Sequence, residues 1–207
     1  MLLSRIKKKI QSSMGGIASV AHDLGLTPNS VTITGFLLSI LSSLLYISSR
    51  LDDLLVPFAA SVLLLSGFCD ALDGYLATFY DEETVFGGFL DSLLDRYSDS
   101  FVICGIIVGR LCDLEWGLLA LIGSILVSYA RARAEAGNIK MASIGLAERA
   151  ERVLIICGAS YFTFIDRNAL AYGMILLAFL TNLTVLQRML HVYKVTKTAR
   201  RPRTHSF

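Results

Sequence analysis

Four aspartates stand out against an otherwise apolar background. The chain reads Cys69-Asp70-Ala71-Leu72-Asp73-Gly74-Tyr75-Leu76-Ala77-Thr78 and later Gly87-Gly88-Phe89-Leu90-Asp91-Ser92-Leu93-Leu94-Asp95. On a helix, positions three or four apart share a face, so Asp70 and Asp73 project together, as do Asp91 and Asp95. A helical hairpin turning near residues 80–86 would bring the two faces opposite each other. Carboxylates gathered in such a setting repel one another and lose hydration unless they are protonated or neutralised by cations. Divalent metal ions answer both needs. A donor set made only of oxygen points to Mg²⁺ or Mn²⁺ rather than zinc, whose sites usually recruit histidine or cysteine. His22, His191 and His205 lie far from the aspartates in sequence and show no ligand-like spacing. They read as interfacial or solvated residues. Two metal ions about 3.5–4 Å apart clamp a phosphoryl group during displacement by an oxygen nucleophile, so phosphoryl chemistry is the first expectation. Gly74, Gly87 and Gly88 remove side-chain bulk where a nucleotide or a neighbouring helix must come close, although small residues also favour helix packing in membranes.

The elements that carry these residues are membrane helices. Of the 207 residues 54% are hydrophobic and 17% charged, a balance that a water-soluble domain of this size rarely shows. Spanning the hydrocarbon takes about 20 mostly apolar residues. Six segments qualify, near residues 30–49, 54–79, 87–110, 115–135, 149–166 and 168–192, the second and third carrying the aspartates at facing ends. Ahead of them, residues 2–24 alternate Leu2, Leu3, Ile6, Ile10, Ile17 and Val20 with lysines, the pattern of an amphipathic helix lying in the interface. Thr27-Pro28-Asn29 stops that helix and starts the next. The expected fold is all-α, a single membrane domain over residues 1–207. It comprises the interfacial helix 2–24, six transmembrane helices within 30–192 and a basic cytoplasmic tail at 193–207.

Charge orients this bundle. The net charge of +2 hides clusters at Arg5, Lys7, Lys8 and Lys9 and at Lys194, Lys197, Arg200, Arg201 and Arg203, which suit an anionic membrane surface better than a nucleic acid. With six spans, Arg50, Arg110 and Arg167 fall on one side and the rest of the 19 lysines and arginines on or toward the other. Cytoplasmic loops hold the excess of basic residues, so both termini and the aspartate site are expected at the cytoplasmic face of a multi-pass cell-membrane protein. Cys69, Cys104, Cys112 and Cys157 lie in or beside apolar segments without CxxC spacing and read as small hydrophobes.

The residues from Asp70 to Asp95 resemble the signature of the CDP-alcohol phosphotransferase family, Asp-x-x-Asp-Gly-x-x-Ala-Arg, eight residues, then Gly-x-x-x-Asp-x-x-x-Asp. Asp70, Asp73, Gly74, Ala77, Gly87, Asp91 and Asp95 all fall in register. The six-span organisation and the Thr27-Pro28-Asn29 turn are similar to the family as well. The resemblance implies two metal ions, Mg²⁺ or Mn²⁺, held by Asp70, Asp73, Asp91 and Asp95. It implies a CDP-linked lipid whose nucleotide sits near Asn29, Asp70, Asp73, Gly74 and Thr78. Asp95 would either ligate the second metal or act as the base that deprotonates the attacking hydroxyl, with CMP released. The family's arginine, expected at the nucleotide's phosphates, is replaced here by Thr78. Relatives of this type are expected to form homodimers.

A second set of residues concerns the acceptor. Arg131 and Arg133 close the fourth predicted span, Arg149 and Arg152 open the fifth, and Arg188 lies late in the sixth. Ordinary positive-inside charge accounts for basic residues there, yet such spacings at converging helix ends also suit a second anion, since arginine forks bind phosphate oxygens bidentately. The strings Ala130-Arg131-Ala132-Arg133-Ala134-Glu135 and Glu148-Arg149-Ala150-Glu151-Arg152, with Gln187-Arg188, resemble those of inositol-phosphate synthases in the family. Inositol phosphate is therefore the expected acceptor, with glycerol phosphate or serine as alternatives, and the donor lipid is archaeol or diacylglycerol. Rival classes are a cation transporter, for which intramembrane carboxylates are equally expected, and an inert lipid-binding relative.

Overall fold

The computed structural model describes residues 15–141 and 144–199, and among them every regular element is a helix. A segment helical over residues 15–23, α1, is followed by α2 (Pro28–Ser48), α3 (Leu55–Phe79) and α4 (Val85–Val108). Then come α5 (Leu114–Glu135), α6 (Arg149–Phe162) and α7 (Ala169–Ala199). All six expected segments are helical. Two limits move: α6 stops at Phe162 instead of 166, and α7 runs to Ala199, so the stretch expected as a tail from 193 is helical through that residue. The remainder of that stretch, and residues 2–14 of the expected interfacial helix, lie outside the described residues.

Four helices are long and apolar enough to cross a membrane: Pro28–Ser48, Leu55–Phe79, Leu114–Glu135 and Ala169–Lys197. The other two fall short for different reasons. Helix α4 carries Asp91, Asp95, Arg96 and Asp99, and α6 has only 14 residues, about 21 Å at 1.5 Å each.

Local chemistry sets the helix ends. At the start of α2, Thr27 is extended and its side chain accepts a hydrogen bond from the Ser30 amide at 3.3 Å, with Pro28 in the first turn. Helices α1, α3, α4 and α5 end alike: Gly25, Asp81, Arg110 and Asn138 have φ of 75°, 57°, 59° and 58°. The next amide in each case, that of Leu26, Glu82, Leu111 or Ile139, bonds back to the carbonyl of Ala21, Ala77, Ile106 or Ala134. That six-to-one bond closes a helix through one left-handed residue.

The chain divides into two compact units, Met1–Gly105 and Ile106–Phe207. In the first, α2 turns a small, polar face inward, with Gly35, Ser39, Ser42 and Ser43 buried and Leu37, Leu41 and Leu44 exposed. Ser42 donates to the Ala59 carbonyl of α3 at 2.8 Å, and Ser66 of α3 donates to the Gly35 carbonyl at 2.7 Å. Toward α4, Ser39 bonds Ser98 at 2.9 Å and Ser43 donates to the Phe101 carbonyl at 2.6 Å. A methyl group on Gly105 would stand 2.6 Å from the Ser43 carbonyl oxygen. Small residues inside and leucines outside are what helix packing in lipid demands. Helix α1 lays Ala18 and Ala21 on Cys69, Leu72 and Leu76 of α3.

In the second unit α7 is the common partner of α5 and α6. Asn182 donates to the Leu119 carbonyl of α5 at 3.2 Å, and Trp116 packs on Phe179 with ring centroids 5.5 Å apart. The segment before α6 is held to α7 by Thr184, whose hydroxyl oxygen accepts from the amides of Leu146 and Ala147 at 3.0 and 3.1 Å. The four cysteines are free thiols, Cys69 and Cys157 buried, Cys112 half-buried and Cys104 exposed. In the connection between α4 and α5, burial and the neighbouring Asp113 push the Cys112 thiol up to about 11.

Candidate functional site

The hairpin of α3 and α4 does what the spacing requires. One carboxylate oxygen each from Asp70, Asp91 and Asp95 lie within 4.8 Å of one another, and all three residues are half-buried. Asp73 stands beside them with Asp70 and Asp91 as electrostatic neighbours, and it is only 5% exposed. The Thr32 side chain and the Gly74 amide approach its carboxylate, but its Oδ2 has no hydrogen-bond partner among the described residues. A buried carboxylate oxygen without a donor is costly. An all-oxygen group around such an atom fits a hard divalent cation.

A cavity of about 240 Å³ opens next to this group, lined by Asp73 and Asp91 together with Asn29, Gly74, Thr78 and Gly87. Of the expected nucleotide residues, Asn29, Asp73, Gly74 and Thr78 line it, whereas Asp70 belongs to the carboxylate group and is absent from the cavity wall. A methyl group added to Gly74 or Gly88 would meet nothing within 4 Å, so these two glycines leave open space at the wall. Gly87 works differently. A methyl group there would stand 3.0 Å from Asn29 Oδ1 and 2.9 Å from Thr84 Oγ1, so its bareness lets α4 close on α2.

Thr84 starts α4: its hydroxyl oxygen accepts from the Gly87 amide at 2.9 Å, the bond of an N-terminal cap. Along with Thr32, Glu82 and Glu83, it lines the cavity without having been singled out from the sequence, and Pro28, read there as the start of a helix, lines it too. Thr32 was legible in part, because it lies three residues after Asn29 and hence on one face of α2. The acidic run Asp81-Glu82-Glu83 carried no such signal. Thr78 Oγ1 donates to Glu83 Oε1 at 2.8 Å, tying the last turn of α3 to the connection. His22 stays exposed as expected, yet it is not remote: its ring stacks on Tyr80 at 3.8 Å and its Nε2 is 3.7 Å from Glu82.

The five arginines lie in the second unit. Arg188 is 2% exposed. Its Nε donates to the Ile144 carbonyl at 2.8 Å, its Nη1 to the Val127 carbonyl at 2.5 Å, and its Nη2 is 3.7 Å from Glu148. Arg152 is also buried and donates to the Ala147 carbonyl at 2.9 Å. Arg149 is half-buried, Arg133 is exposed, and Arg131 is exposed and paired with Glu135 at 2.9 Å, one helical turn away. Arg131 and Arg152 are electrostatic neighbours of Arg188, so this part of the expected cluster does gather.

Comparison with known proteins agrees with this geometry. The family model of CDP-alcohol phosphatidyltransferases matches residues 25–194. The archaetidylinositol phosphate synthase of Pyrococcus horikoshii is 40% identical over 197 residues, 95% of this chain and 97% of that protein. The synthase of the same description from Methanothermobacter thermautotrophicus is 41% identical over 182 residues, 87% of this chain and 90% of that protein. Among solved structures, the Mycobacterium tuberculosis phosphatidylinositol phosphate synthase with CDP-DAG bound superimposes with a TM-score of 0.76. It is 31% identical, with 87% of this chain and 93% of that one covered. The same enzyme in complex with manganese and citrate gives a TM-score of 0.76 at 31% identity, covering 87% of this chain and 88% of that one. With Asp70, Asp91 and Asp95 folded into one carboxylate group beside a cavity that Asp73 lines, and with relatives matched over most of their length, the chain belongs to the CDP-alcohol phosphatidyltransferase family.

Proposed function

We propose that this protein is a membrane transferase of phospholipid biosynthesis that moves a phospholipid group from a CDP-linked lipid to a hydroxyl of inositol phosphate, releasing CMP. The observation that carries the reading is the convergence of Asp70, Asp91 and Asp95 beside the cavity that Asp73 lines. The names of the relatives supply the acceptor and, for the M. tuberculosis enzyme, the CDP-DAG donor.

In this reading Asp70, Asp73, Asp91 and Asp95 hold two divalent ions, Mg²⁺ or Mn²⁺. When bound, such ions neutralise phosphate charge and polarise the phosphorus under attack. Asn29, Gly74 and Thr78, with Asp70 and Asp73, receive the nucleotide. Asp95, a member of the carboxylate group, accepts the proton of the inositol hydroxyl as its oxygen bonds to the lipid-attached phosphorus. The bond from that phosphorus to the oxygen of CMP breaks, and CMP leaves with the bonding electrons. Arg131, Arg133, Arg149 and Arg152 bind the acceptor's phosphate. Arg188 serves it from within, because its donors lie on the carbonyls of Val127 and Ile144 and its charge adds to the positive potential there.

The membrane arrangement belongs to the same reading. Helices α2 to α7 make six spans of a single family domain, since one family model runs across both compact units. The N-terminal helix lies in the interface, and both termini and the active site face the cytoplasm of the cell membrane. Two copies form a homodimer, an expectation drawn from the family, which crosslinking in membranes tests. Archaeol is the favoured donor lipid, since the archaetidylinositol phosphate synthases match at 40% and 41% identity. Purified protein given CDP-archaeol, Mn²⁺ and inositol phosphate is expected to release CMP, and Asp91→Asn to abolish the release. Wild-type protein that releases none from CDP-archaeol or CDP-diacylglycerol, with inositol phosphate, glycerol phosphate or serine, would overturn the reading.

A further inference from the structure

We infer that Glu83, held in place by Thr78, reads the base of the bound nucleotide by accepting a hydrogen bond from the cytosine amino group. The inference rests on the cavity being the CDP site, as proposed above. Along α3 the cavity has two ends. Asp73 and the neighbouring Asp91 mark one, and Thr78, five residues further on, marks the other, about 7.5 Å along the helix axis at 1.5 Å per residue. With the diphosphate among the aspartates and their metal ions, a nucleoside laid along the cavity brings its base to the Thr78 end, where the short threonine replaces an arginine whose longer side chain is expected to reach back to the phosphates. The unpartnered Oδ2 of Asp73 fixes which end takes the ions.

What awaits the base there is acidic. Glu82 and Glu83 line that end, and no lysine or arginine is among the described residues of the wall. An ionised carboxylate only accepts hydrogen bonds. It repels phosphate and carbonyl oxygens and attracts an amino group. Cytosine offers an exocyclic amino donor at the ring position where uracil, like thymine, offers a carbonyl oxygen. The two glutamates are not equivalent, because His22 Nε2 stands 3.7 Å from Glu82. Glu83 accepts from the Thr78 hydroxyl through Oε1 at 2.8 Å, which orients the carboxylate and leaves Oε2 to receive the base. Thr78 thus acts as a positioning residue.

The test is nucleotide preference. Full-length protein in detergent micelles with Mn²⁺ is titrated with CDP and with UDP, each competing against labelled CDP-lipid. Wild type is expected to favour CDP by about tenfold, the scale of one hydrogen bond to a charged group. Glu83→Ala should bring the two within about threefold, mainly by weakening CDP, and Thr78→Val should fall between, since Glu83 keeps its carboxylate and loses only the exposed hydrogen bond that orients it. Glu83→Gln should narrow the preference by improving UDP, because its amide can donate to the uracil carbonyl. Intact CDP binding with an unchanged preference in both Glu83→Ala and Thr78→Val would overturn this inference alone. If wild type binds neither nucleotide, the assignment of the cavity to CDP falls with it. Should Glu83→Ala fail to fold, Thr78→Val decides the matter.

Discussion

Replacing Asp95 by asparagine should stabilise the metal-free protein and destroy its response to metal. Asp70, Asp91 and Asp95 present oxygens within 4.8 Å of one another, and at an effective dielectric of about 20 each ionised pair at that distance repels by about 3.5 kcal/mol. The neutral amide would remove two of the three pairs at nearly constant shape. The residues are half-buried, so solvent screening reduces the gain to about 2–3 kcal/mol net. At about 2–4 °C per kcal/mol for a chain of this length, Tm in EDTA should rise by about 5–10 °C. Metal closes the gap: at one hundred times its Kd, a bound ion adds about 2.7 kcal/mol to the wild type, about what the substitution gains, and the variant lacks part of that site. Thermal unfolding in detergent, with EDTA and with saturating Mn²⁺, reads both effects, and CMP release should be lost in the variant. An Asp95→Asn protein less stable than wild type in EDTA, or equally stabilised by Mn²⁺, would refute the reasoning that these carboxylates form one strained, metal-accepting group.

Other perturbations test the framework around it. Arg188→Met removes the buried donors to Val127 and Ile144 and leaves Glu148 without its nearby cation. We expect about 3 kcal/mol or more of destabilisation by thermal unfolding, and wild-type stability would refute the structural role of this side chain. Gly87→Ala should push Asn29 and Thr84 by a few tenths of an ångström, raising KM for the CDP-lipid several-fold with little change in helix content; an unchanged KM would show that α2 and α4 need not close there. Reaction of Cys112 with a maleimide should be slow at pH 8. A thiol at about 11 instead of 9.0 holds about one hundredth of the thiolate, so the rate should climb as pH rises toward 11, and rapid labelling at pH 8 would contradict its burial.

The relation between sequence and structure follows the reach of each interaction. Asp70 with Asp73 and Asp91 with Asp95 share helix faces because three and four residues approximate one turn, a property of the backbone itself. Thr27 and Pro28 likewise announce the start of α2, since a cap involves residues three apart. Apolar run length marks α2, α3, α5 and α7 as helices long enough to cross a membrane. Inositol as the acceptor was legible only through resemblance.

Tertiary structure decided what depends on residues far apart in the chain. Spacing alone ranked the four aspartates equally, whereas packing groups the oxygens of Asp70, Asp91 and Asp95 and buries Asp73 against the cavity. It brings His22 onto Tyr80 and sets Glu83 opposite Thr78. It also turns Arg188, one basic residue among several in the sequence, into a buried strut for the segment ahead of α6. Helix periodicity acts within a turn or two and is written in residue types. Which faces meet is settled by how whole helices pack their small residues in lipid, where Ser42, Ser66 and Gly105 bring backbones close.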